Sequence, residues 1–306
     1  MKITAFGTAW FSDFKIEAGL VDESNTWNFL CVLFDYVNAN IEQNGTYKNV
    51  TLRLTQTDKE DMRTCMRRFQ SSMEQMTNKK IRVKYDLVES TEPITSFSHD
   101  EENGYYVSGY DIKNVLDPYI AQGKYDHIFV AFRTGDMNQR GAIPVNDWIG
   151  LGSMEYRNIG FSNIRLPDSD NNYVYKYDTQ INQFPEEVFI HEFLHTLERN
   201  AEEWGEERPE LHSYENYGYS SKVLFGLKDW YQDYMNKNIS TTSGKVGLPT
   251  DIYTKKPVKT TDFTYTHELN AFKEPNNILE ELNNIWHKVQ ELFTIVQNNM
   301  KIKQEQ

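Results

Sequence analysis

His191-Glu192-Phe193-Leu194-His195 sets two imidazoles four residues apart. On a helix that spacing puts both rings on one face, one turn apart. Such a pair can share one zinc ion through bonds of about 2.0–2.1 Å. Glu192 can reach a water on that ion without being a ligand itself. The implied chemistry is hydrolysis, in which zinc lowers the pKa of water and a carboxylate takes the proton. Only seven histidines occur in 306 residues, so the recurrence carries information.

The element that must position these residues reads as a strong helix. Pro185 is expected at its first helical position, with Glu186 and Glu187 in the first turn. Val188, Phe189, Phe193, Leu194 and Leu197 form its apolar flank, and Gly205 stops it after Trp204. Before it, the Gly-dotted alternation from Ile149 to Pro167 predicts an edge strand or hairpin, followed by a loop through Asp168 to Asn172. An extended substrate can add to such an edge as a further strand.

Earlier residues alternate between element types. Trp27, Leu30, Cys31, Phe34, Val37 and Ile41 fall at helical spacing. Val50–Leu54 reads as a short strand. Thr57 and Glu60 read as a capping box for a helix whose buried stripe is Met62, Cys65, Met66, Phe69, Met73 and Met76. Ile81–Val88 is a strand, and Ile112, Val115, Leu116 and Ile120 mark a short helix that Pro118 must kink or shift. Tyr125–Arg133, apolar at its centre, is expected to lie centrally in a sheet. Downstream come a helix over Leu224–Ile239, a long connection from Ser240 to Lys259, and an amphipathic helix from Ile278 to Val296 that packs back on the second lobe.

Length fits two domains, or one domain of two lobes, at roughly 150 residues each. The net charge of −13 argues against nucleic acid or an anionic membrane as the main partner. No apolar run approaches the ~20 residues of a membrane span. The start, MKITAFGTAWFSDF, shows no signal peptide, and a mature or truncated form stays open, so localisation is undetermined. Cys31 and Cys65 read as buried thiols in helical patterns rather than as a disulfide framework. Nothing in the sequence sets the oligomeric state.

The HEFLH helix, with strands and helices before it and helices after, resembles the zincin metallopeptidases. The resemblance implies an α+β, two-lobed fold. Residues 1–195 would form an α/β lobe, a mixed sheet with helices ending in the active-site helix, and residues 196–306 a mainly helical lobe. It implies a zinc peptidase acting on a peptide or protein, with His191 and His195 binding Zn2+ and Glu192 as general base and acid. A metzincin would carry Gly at 198 and His at 201; this chain has Glu198 and Ala201, and its motif is closer to the gluzincins.

The third ligand is His212 or Glu215. Glu215 stands at the spacing of thermolysin-like gluzincins, though their following Asp is Tyr219 here. His212 is favoured because histidine is scarce and neutral imidazole is a common zinc ligand. Glu198, one turn past His195, either orients a ligand or pairs with Arg199 at the surface. Tyr219 and Tyr217 are candidate oxyanion donors, or simply packing residues.

Gly152–Tyr156 resembles the GxMEN element of zinc aminopeptidases, with Tyr156 in place of the Asn; Glu155 would then bind a free amine and the activity would be exopeptidase. Two further alternatives are a catalytically silent zincin-fold binding module and a hydrolase of non-peptide amides. His99, His127, His267 and His287 show no ligand spacing, and His127 reads as a satisfied core residue. The acidic run from Glu202 to Glu210 is a solvated face or a preference for basic substrates.

Overall fold

The computed structural model describes residues 23–135, 142–146, 148–166, 175, 184–221 and 226–265. In chain order they form strand β1 (Thr26–Phe34), a hairpin of β2 (Tyr36–Gln43) and β3 (Thr46–Arg53), helix α1 (Gln56–Met76) and strand β4 (Arg82–Ser90). A small hairpin of β5 (Ser98–Asp100) and β6 (Gly104–Tyr106) leads to α2 (Lys113–Ile120), β7 (His127–Arg133), β8 (Gly150–Tyr156) and β9 (Ile159–Leu166). Then follow α3 (Glu187–Glu203), a 3₁₀ helix over Leu211–Tyr217, α4 (Lys228–Met235), and a hairpin of β10 (Ile239–Thr241) and β11 (Gly244–Val246).

The class is mixed α+β. Five strands form one sheet in the order β4-β1-β7-β9-β8. The β1–β4, β1–β7 and β7–β9 pairs are parallel, and β8 returns antiparallel at the edge. The predicted Ile149–Pro167 hairpin is thus β8–β9, and the Tyr125–Arg133 strand is the central β7. Among the described residues no helix is long and apolar enough to cross a membrane.

The helix expected from Trp27 to Ile41 is instead β1 and β2. Trp27, Phe29, Cys31 and Leu33 enter the core on one face of the sheet, while Leu30, Val32 and Phe34 enter the core on the other. A strand buried on both faces is apolar throughout, and a subset of its residues then imitates helical spacing. Cys31 accordingly lies on a strand; both cysteines are buried free thiols.

Helix α1 buries the predicted Met, Cys and Phe stripe. Its capping box is one register earlier than Thr57–Glu60: Thr55 Oγ1 accepts from Asp58 N–H at 3.1 Å, and Asp58 accepts from Thr55 N–H at 2.6 Å. Asp58 holds that place because it also pairs with buried Arg133. Pro118 lies inside α2, in its second turn.

Two corrections follow chain turns. Pro185 precedes α3 rather than opening it, because Phe184 and Pro185 carbonyls accept from Glu187 and Val188 in a lead-in turn. The helix expected over Leu224–Ile239 ends at Met235, where Lys237 takes a left-handed φ of 53°, and Ile239 opens β10. The Ser240–Lys259 connection contains the β10–β11 hairpin. The Asp168–Asn172 loop and the Ile278–Val296 helix fall outside the described residues.

One core lies between the sheet and α1, α3, α4 and the segment from Ile239 to Tyr253. The other, on the opposite face, is closed by α2 and the β2–β3 hairpin. Helix α3 runs beneath the β8 edge.

Candidate metal centre

Helix α3 is fixed in rotation by its apolar face. Phe193 meets Trp27 and Phe29 edge-on at centroid distances of 5.0 and 4.9 Å. Val188, Phe189, Leu194, Leu197 and Ala201 are buried with it. That orientation turns His191 and His195 away from the sheet. Their Nε2 atoms stand 3.1 Å apart.

The 3₁₀ helix brings His212 to the same point, with its Nε2 3.2 Å from His195 Nε2. One ligand atom from each of the three rings lies within 4.8 Å of the others. A tetrahedral ion with bonds of about 2.0–2.1 Å spaces its ligand atoms by about 3.4 Å. The separations therefore suit a single small cation.

Protonation points the same way. Burial pushes the His191 pKa well below its ordinary value, with His195 and His212 adding to the effect. Burial, then His195, lowers that of His212 against the pull of Glu198 and Glu210. Neutral imidazoles are the form that binds a metal. His195 Nδ1 lies 3.2 Å from Glu198 Oε2. A carboxylate only accepts, so in this contact Nδ1 is the donor, and the neutral tautomer that fits it has its Nε2 lone pair toward the other two rings. The donor set fits zinc, which takes imidazole nitrogen readily.

Glu192 sits beside the histidines but faces β8. Any Cβ at Gly150 or Gly152 would collide with its carboxylate, so the two glycines leave the volume it occupies. Burial pushes the Glu192 carboxyl up to about 7, against the opposing effects of His195 and the Gly152 N–H. A carboxyl near that value can take and return a proton at neutral pH.

Glu215 does not join the group: it is exposed on the 3₁₀ helix, three residues beyond His212. Of the two tyrosines suggested as oxyanion donors, Tyr219 has its hydroxyl engaged elsewhere. Tyr219 donates to Asp233 at 2.6 Å and packs edge-on against Trp230, and Tyr217 stacks on Trp230. Glu155 is exposed on β8, with Arg199 Nη2 3.9 Å away.

His127 is the satisfied core residue expected, fully buried between Ser162 Oγ and Thr196 Oγ1 at 3.1 Å each. His267 and His287 lie outside the described residues. In the acidic run, Arg208 stands 3.4 Å from Glu202 and Lys255 stands 3.3 Å from Glu206, so part of that charge is paired.

Tyr231 was not foreseen. Its hydroxyl lies 3.0 Å from His191 Nδ1, reached across from α4. The only trace in the sequence is the aromatic cluster Trp230, Tyr231 and Tyr234, which reads equally well as packing.

No family model matches the chain, and no curated protein or solved structure matches it either.

Proposed function

We propose that the chain is a zinc-dependent peptidase with a two-lobed, zincin-like architecture. His191, His195 and His212 hold the ion. Bound there, zinc supplies Lewis acidity that acidifies water and polarises a carbonyl. Glu192 takes the proton of the attacking water and then delivers it to the leaving amine. Its burial excludes bulk solvent from that exchange. The β8 edge, hydrogen-bonded to β9 on its other side, receives the substrate backbone as an added strand.

The observation carrying this reading is the convergence of three imidazole nitrogens next to a buried carboxylate at a sheet edge. The test is a peptide-library digest by zinc-loaded protein of known metal content. Glu192→Gln should retain its zinc and lose about 10²–10⁴-fold in turnover. Unchanged turnover in that variant overturns the general-base role. A zinc-loaded wild type that cleaves no peptide overturns the peptidase reading and leaves a metal-binding module.

A further inference from the structure

Glu198 reaches two of the histidine-bearing elements through different oxygens. Oε2 lies against His195 Nδ1, and Oε1 accepts from the Leu211 backbone N–H at 2.7 Å. The Leu211 carbonyl in turn accepts from Trp230 Nε1 at 2.9 Å. Both polar backbone groups of the residue before His212 are therefore held. Tyr234, on the same helix as Trp230, donates to the Pro209 carbonyl at 3.1 Å and stands 3.4 Å from Glu198 Oε1. With Tyr231 against His191, α4 braces all three histidines directly or through one intermediate.

We infer that Glu198 is a positioning residue that sets the tautomer of His195 and the placement of His212 together, before any metal binds. The inference rests on the zinc reading given above. Its chemical core is that Glu198 meets two N–H donors on two oxygens. A carboxylate accepts from both, whereas an amide accepts on one side and donates on the other. Glutamine at this position must therefore turn an N–H toward His195 Nδ1 or toward Leu211 N–H. The first choice moves the imidazole proton to Nε2, where the lone pair is needed; the second releases the turn that carries His212. Glu198 is buried, so water does not readily make up the loss. Arg208 Nε, 3.9 Å from Oε1, offsets the charge.

The test is the Zn2+ affinity of metal-free wild type, Glu198→Gln, Glu198→Asp and Glu203→Gln, by competition with a chromophoric chelator, with circular dichroism alongside. Glu198→Gln should weaken zinc by about 10–100-fold. Glu198→Asp, which keeps two acceptors, should recover part of that. Glu203→Gln, altering an exposed carboxylate on the same helix, should match wild type. Equal affinity in wild type and a folded Glu198→Gln overturns the inference and leaves the zinc reading standing; a wild type that binds no zinc removes both. Should Glu198→Gln fail to fold, nitrogen NMR of the metal-free wild type decides. A proton on His195 Nδ1 supports the inference, and one on Nε2 overturns it.

Discussion

Helix α3 has histidine on both sides: fully buried His127 against its sheet side, and its own part-exposed His191 and His195 on its outer side. On the sheet side, each ring nitrogen of His127 meets a hydroxyl, Ser162 or Thr196. A hydroxyl can donate or accept, so the ring is satisfied in either neutral tautomer and nothing is left over for a ligand. On the outer side, Nδ1 of His191 and of His195 also has a protein partner, but the Nε2 atoms face one another. Similar distances thus give a closed, fully buried structural group in one place and a part-exposed, convergent donor set in the other. What separates them is the partner chemistry at the second nitrogen.

The strongest way to break the comparison is to exchange the two losses. His195→Ala should abolish stoichiometric zinc, measured by elemental analysis of the purified protein, while His127→Ala should keep one zinc per chain. Loss of zinc in both variants would show that the sheet-side histidine is not merely structural.

His127→Ala should instead lower stability by about 2–4 kcal/mol in urea melts, through the cavity and the two stranded hydroxyls. It should also change the acid response. Burial, helped by Arg199, holds the His127 pKa well below its usual 6.5. Below that value the unfolded chain binds a proton that the folded chain refuses, so wild-type stability falls as pH drops. The variant should lose that part of the slope, measured by melts from neutral pH downward. An unchanged slope would place the acid sensitivity elsewhere.

The smallest effect is expected at Glu215. Glu215→Gln should leave zinc content unchanged and stability within about 0.5 kcal/mol, as for an exposed residue outside the donor set. A marked loss of zinc would return Glu215 to the ligand shell.

Legibility followed burial asymmetry. Helix α1 buries one stripe, so its period is readable from residue type alone, and the β8–β9 hairpin is readable from its glycines although β9 is buried on both faces. Strand β1 buries both faces and was misread as helix. At the site, His191, Glu192 and His195 were legible because one helix fixes their spacing. Residue type also favoured His212 over Glu215, but its placement was not legible, because it depends on where Glu198 and Trp230 tie Leu211, and such ties cross from one element to another. Tyr231 left no signal for the same reason.

Strand β1 has a consequence for how the chain reaches this state. Its nine residues, TWNFLCVLF, contain no charge and no proline, a composition prone to self-association when exposed. Thr26 waits for Arg82, and Phe29 for His127, before either edge is paired. Parallel pairing across such sequence separations is slow. Low temperature and dilute refolding should therefore favour recovery from denaturant, and a charge placed within β1 would slow aggregation only at the expense of the sheet's centre.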